Sequence, residues 1–181
     1  MKRSLLAGIV AVAATLPLAQ TSHAGPAAPA VPTEITVPDG HKPFLTGHAT
    51  GVQIYACTAT ASGYKWGLLA PRANVYGDNG TLLATHYGGP TWEARDGSTV
   101  VARRDRGVTV DPTAVEWLRL AVTAWVTGPD GDRLAGTRYI QRINTAGGLP
   151  PAPATCDAAN AGTRTEVPYT ADYAFWKAIG S

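Results

Sequence analysis

From residue 52 onward the chain alternates apolar and polar residues in short runs, and Gly, Asn, Asp and Pro separate the runs. A period of two sends successive side chains to opposite faces of an extended backbone, so this pattern predicts strands with one buried face. In 52–57, Val52, Ile54 and Ala56 share one face, and Gln53, Tyr55 and Cys57 share the other. Residues 64–69 read as the return strand. Segments 73–76 and 81–87 flank Asp78-Asn79-Gly80, and Asn-Gly supplies the positive φ angles that a tight hairpin turn demands. Segments 91–95 and 99–104 flank Asp96-Gly97-Ser98, which predicts a second hairpin with glycine in its turn. A third is expected where 117–127 and 134–143 flank Gly128-Pro129-Asp130-Gly131.

One stretch carries two periods. Asp111-Pro112 could open a helix in which Val115, Leu118, Val122 and Trp125 fall at near-helical spacing. Leu118, Leu120, Val122, Ala124 and Val126 also alternate, and the following turn joins them to an evident partner, so the strand is the expectation. In 169–176, Tyr169, Tyr173 and Phe175 lie on one side, which predicts a terminal strand clamped by aromatics. Hairpins in series give a mainly β fold, either an antiparallel β-sandwich or a closed β-barrel, two ways of burying one sheet face and hiding edges.

The N-terminal region has a different pattern. Lys2 and Arg3 precede an apolar stretch from Leu5 to Leu18 that ends near the small residues Ser22 and Ala24, the layout of a cleavable signal peptide over 1–24. Residues 25–38 are rich in Pro and Ala and read as an extended tether, which leaves 39–181 as a single β domain. No later apolar stretch has membrane-spanning length. The formal charge of +2 equals that of the two leader residues, so the mature chain is balanced and nucleic acid is not an expected partner. The basic run Arg103, Arg104 and Arg106 is interrupted by Asp105 and reads as a solvated strand end.

These features place the protein outside the cytoplasm, secreted or extracytoplasmic after cleavage. Cys57 and Cys156, the only two cysteines, are expected to form a disulfide in an oxidising compartment. Neither the thiols nor the histidines show metal-ligand spacing, so no metal and no cofactor are expected.

Candidate chemistry is sparse. Ser62, Ser98 and Ser181 follow the leader, and none sits in a nucleophile-elbow motif. His41 and His48 lie in a Gly-containing entry segment and read as surface residues. His86 shares strand parity with Leu82 and Ala84, so it points inward if that face is the core. His86 and Asp96 are the candidate catalytic residues, as base and carboxylate. Trp92 is the candidate binding residue, although its main expected role is that of a buried anchor beside the Gly88-Gly89-Pro90 turn. Parity places Trp92 and Glu93 on opposite faces, which argues against a sugar hydrolase built on that pair. Asn79-Gly80-Thr81 is a glycosylation sequon on a turn, and an inward Arg142 would require a carboxylate partner.

Four blocks carry a resemblance: G-V-Q-I-Y-A-C at 51–57, H-Y-G-G-P-T-W-E-A-R-D-G-S at 86–98, Y-I-Q-R-I-N-T-A-G-G at 139–148 and V-P-Y-T-A-D-Y-A-F-W at 167–176. Together they resemble the secreted family called domain of unknown function 3455. The resemblance implies no activity for any residue. One departure is Glu116 before Trp117, where the family tends to have proline. No G-x-G-x-x-G follows a predicted strand, so a nicotinamide-dependent dehydrogenase is not expected. The functional expectation is a binding or structural module at the cell exterior, with a small molecule, a polysaccharide or an envelope component as partner. The alternative is a small hydrolase or isomerase using His86 with a carboxylate.

Overall fold

A computed structural model describes residues 25–180; the segment 1–24, read above as a signal peptide, lies outside the described residues. Eight strands follow in chain order: β1 (His41–Thr60), β2 (Gly63–Tyr76), β3 (Leu82–Tyr87), β4 (Thr91–Ala94), β5 (Thr99–Val108), β6 (Trp117–Val126), β7 (Thr137–Gly147) and β8 (Arg164–Ala178). Each pairs antiparallel with the next, and β8 pairs back on β1, so one sheet closes on itself. Of the two architectures left open above, the structure takes the closed one. Among the described residues no helix is long and apolar enough to cross a membrane.

The predicted strands are present, with three differences. The ladder begins at His41, because Pro43 and the glycines of 41–51 are accommodated in the long strand β1, which bulges between Pro43 and Leu45. The segments 64–69 and 73–76 form one strand, β2. Pro71 is tolerated inside it because β2 pairs with β3 only from Ala73 onward, leaving the proline on a free edge just beyond a bulge. In the β2–β3 turn, Gly80 alone has positive φ, at 74°. Asn79 instead accepts a hydrogen bond from the Thr81 backbone N–H at 3.0 Å, so it acts through its side chain. The ambiguous stretch resolves as the strand β6, preceded by a turn in which Asp111 Oδ1 accepts from the N–H and hydroxyl of Thr113.

A ring of eight strands encloses a space that its inward side chains must fill. Six alanines contribute to that filling: Ala49, Ala73, Ala84, Ala94, Ala102 and Ala171. They leave room for Trp92, Tyr169, Tyr173 and Phe175, all buried in the same cluster. The alternation of small and large residues lets the aromatics of β4 and β8 cross the interior without overpacking. Gly51 takes this further, because a Cβ there would stand 2.2 Å from the Arg72 carbonyl oxygen and 2.5 Å from Ala73 Cα. The β1–β2 approach therefore requires glycine at that position.

Outside the ring, the last part of the 25–38 segment is packed rather than free. Ile35 is buried in a single 3-10 turn, Thr33–Ile35, and Val37 joins Ala174 and Trp176 in a second cluster. Gln141 fixes this contact from β7, donating Nε2–H to the Ile35 carbonyl at 2.8 Å and accepting from Trp176 Nε1 at 2.9 Å. Arg119 donates to the Thr36 carbonyl and pairs with Asp105. The basic run thus ends in ion pairs, with Arg104 meeting Glu116 and Arg106 meeting Asp105.

Cys57 and Cys156 form the expected disulfide across 99 residues, tying the end of β1 to the segment before β8. Loop-closure entropy over that separation corresponds to about 2–5 kcal/mol, so Cys57→Ser/Cys156→Ser should lose about that much in urea unfolding. An unchanged midpoint would show that the bridge does not constrain the unfolded chain. Trp92→Ala removes the largest wholly buried side chain and should cost about 3–5 kcal/mol. Chemical denaturation of the purified variant measures it directly.

Candidate functional site

The two ends of the ring differ. One is closed by 128–134, where Leu134 is buried in the core. Asp96 holds that closure: its Oδ1 accepts from the N–H and hydroxyl of Ser98, its Oδ2 accepts from the Arg133 N–H at 2.8 Å, and its carbonyl accepts from the Asp130 N–H. Ser98 in turn accepts the Leu134 N–H at 3.1 Å. These donors hold the Asp96 carboxyl below its ordinary range, the Ser98 hydroxyl contributing most.

The other end holds an open cavity of about 250 Å³. Gln53, His86, Trp92, Arg142 and Tyr173 supply its polar atoms, and Leu118 and Leu120 form part of its apolar wall. Arg104 and Glu116 stand at its edge, both partly exposed and joined at 3.0 Å. Glu116 is set there by the turn before β6, which is stitched to β7 by the hydrogen bonds Val115 N–H to Gly147 O and Thr145 Oγ1–H to Val115 O. Above Gln53, Gly148 has φ of 80°, and a Cβ there would come within 2.8 Å of Tyr169 and 3.2 Å of Gln53. The Gly-Gly end of β7 therefore lets the backbone close down over the glutamine.

His86 and Trp92 are direct cross-strand partners on β3 and β4, and their rings stack at 4.0 Å with 10° between planes. Tyr173 meets both edge-on. The His86 Nδ1 lies 2.8 Å from the Thr91 carbonyl. A carbonyl only accepts, so Nδ1 carries the proton and Nε2 is left as an acceptor in the neutral ring. Burial pushes the imidazole down to about 4, a shift the Thr91 carbonyl partly opposes and the Arg142 charge reinforces.

Three buried polar atoms at this end have no hydrogen-bond partner among the described residues: Gln53 Nε2, Gln53 Oε1 and Trp92 Nε1. Gln53 is only 1 % exposed, so bulk water does not satisfy it. Interiors rarely leave such groups unpaired, because each forfeits a hydrogen bond it makes when unfolded.

The inward placement of His86 and the burial of Trp92 follow the strand parity. The structure does not bring Asp96 to His86. Asp96 lies in the turn after β4, bonded to Ser98, Arg133 and Asp130 at the closed end of the ring, and it is not among the residues lining the cavity. The carboxylate that shares the cavity with His86 is Glu116. Trp92 offers no outer face for a polymer, being wholly buried under His86. Arg142 points inward without the acid expected for it: its Nε and Nη2 donate to the Glu116 backbone carbonyl at 3.1 and 2.9 Å.

Gln53 was missed as a site residue, although its parity with Tyr55 was visible and only the identity of the inner face was lacking. His48 is exposed as expected, yet it bridges Asp172 at 2.6 Å and Asp78 at 2.9 Å, which raises its pKa. Among the described residues no three or more His, Cys, Asp or Glu side chains are grouped to hold a metal ion.

A family model described as "Protein of unknown function (DUF3455)" matches residues 77–177, more than half of the chain. The protein belongs to this family. The matched span carries His86, Trp92, Glu116, Arg142 and Tyr173, so the family region holds most of the polar cavity lining, while Gln53 comes from the strand before it. No curated protein and no solved structure matches the chain.

The buried neutral imidazole sets a pH dependence. Folded His86 binds its proton only near pH 4, whereas unfolded histidine binds near 6.5, so its contribution to stability is complete above about pH 6.5 and falls as pH drops toward 4. Below that both states are protonated and the loss stops, on the order of 3 kcal/mol in total. His86→Phe, which keeps a flat ring against Trp92, should flatten the difference between urea midpoints at pH 7 and pH 4.5. An equal pH dependence in the variant would show that His86 is not the group responsible.

Proposed function

We propose that this protein works outside the cytoplasm as a small-molecule binding module, with the ligand seated in the open end of the ring. Export is inferred from the leader pattern at 1–24 and from the disulfide. The observation that carries the binding reading is the pair Gln53 and Trp92, which line the cavity and whose amide and indole N–H are buried without protein partners among the described residues. A mainly apolar recess with a few convergent polar groups is the usual form of a small-ligand site. By the volume of liquid water the cavity holds about eight molecules, which suits a compact ligand of one ring. A polysaccharide chain fits this recess poorly, and no large exposed aromatic face is needed.

The catalytic alternative pairs His86 with a carboxylate. Glu116 is the acid available to it, and Glu116 is engaged by Arg104. A ring nitrogen held near 4 is also a weak base at neutral pH. Binding without turnover is the better account.

Substituting Gln53 separates binding from architecture. A structural glutamine loses stability when replaced, whereas an unpartnered one gains by becoming apolar. Gln53→Leu should therefore raise the stability of the ligand-free protein by about 1–3 kcal/mol. The same change should abolish the thermal shift produced by any compound that binds wild type from a library of small polar molecules. A destabilised Gln53→Leu protein, together with a wild type that no compound stabilises, would refute the binding reading.

A further inference from the structure

The chemistry of the cavity narrows the ligand class, an inference that rests on the binding reading above. We propose that the ligand is a small organic monoanion: a carboxylate on an apolar or aromatic body, received by Arg142, Gln53 and the indole N–H of Trp92.

The argument begins with charge. Arg142 lines the cavity from β7, opposite Leu118 of β6 and Tyr173 of β8 in the sheet register. It takes part in none of the ion pairs among the described residues, and its Nε and Nη2 donate to the neutral backbone carbonyl of Glu116. Glu116, the one acid lining the cavity, gives both carboxylate oxygens to Arg104, at 3.3 and 3.0 Å. That pair is neutral and His86 is neutral, so Arg142 leaves the recess with a net charge of one positive unit. A partly buried cation without an acid partner is costly, and a ligand carboxylate would offset that cost.

Hydrogen-bonding capacity points the same way. The unused donors are the Gln53 amide N–H group and the Trp92 indole N–H, which complement carboxylate oxygens beside a guanidinium. Gln53 Oε1 is an unused acceptor, and the neutral His86 ring offers a further acceptor at Nε2. They suit a hydroxyl elsewhere on the same ligand, so a hydroxy acid would satisfy the set more fully than a simple acid. Leu68, Pro71, Pro90, Leu118 and Leu120 supply the apolar surface for the ligand body.

Matched probes test this by calorimetry on the purified protein. Benzoate and 4-hydroxybenzoate are compared with benzamide, 4-hydroxybenzamide and methyl benzoate. The acids should bind at least about tenfold more tightly than the neutral analogues, with 4-hydroxybenzoate the best. Arg142→Met should remove that preference, weakening the acids by about 10- to 100-fold while leaving the neutral analogues little changed. The comparison of probes on wild type needs no variant, so the test survives a poorly folded Arg142→Met. Neutral analogues that bind as well as the acids, with binding lost in Gln53→Leu, would overturn the carboxylate inference and leave the site intact. If no probe of either kind binds, the carboxylate inference is likewise overturned, and a destabilised Gln53→Leu would then remove the site as well.

Discussion

The pairing of β8 with β1 is the constraint on which the rest of the structure depends. It removes both edges of an otherwise open meander, and it fixes the width of the space inside. Once the width is fixed, side-chain volume at the inner positions is no longer free. The six inner alanines and Gly51 make room for one tryptophan, two tyrosines and a phenylalanine, and those aromatics set how far the interior is filled. Filling is complete toward the end closed by Leu134. It is incomplete toward the end where Gln53 and Arg142 stand.

This asymmetry assigns different work to polar groups of similar type. Asp96, Ser98 and Gln141 are engaged: Asp96 accepts from Ser98 and Arg133, while Ser98 and Gln141 each donate and accept, and these bonds tie loops or the N-terminal segment to the ring. Gln53 and the Trp92 N–H are not, although they are at least as deeply buried as Gln141. A fold selected only for stability would replace an unpaired buried amide with leucine at no cost in packing. The contrast between Gln141 and Gln53, two buried glutamines in one sheet, is therefore one of partnered against unpartnered burial.

Much of the fold was legible in the sequence because alternation reports strands directly, and the turn residues Asp78-Asn79-Gly80, Asp96-Gly97-Ser98 and 128–131 mark where they reverse. The disulfide was legible by arithmetic, there being one possible pair. Closure was not, since whether β8 returns to β1 or packs across a second sheet depends on register and twist rather than on local pattern. The site was half legible. Parity placed His86 and Trp92 inside, but it could not show that Asp96 belongs to the opposite end of the ring. Nor could it show that the inner face of β1 is the one carrying Gln53, because Val52 and Ile54 make the outer face look equally apolar. Arg142 illustrates the same limit: its inward direction was readable, and its backbone-carbonyl partner was not.

The same closure has a consequence for how the chain acquires its structure. β1 emerges early in synthesis and has one of its partners, β2, close at hand, but the other is the last strand made. Between the end of β1 at Thr60 and the start of β8 at Arg164 lie about 100 residues, which at roughly 5–20 residues per second leaves β1 half-paired for about 5–20 seconds. Until then its outer hydrogen-bonding edge and the inward faces of Tyr55 and Gln53 have no lasting cover. The ring is thus a late, cooperative event dominated by contacts distant in sequence, with slow folding as the expected result. A chain cut before β8 would expose two complementary edges rather than one, and such edges pair between molecules as readily as within one.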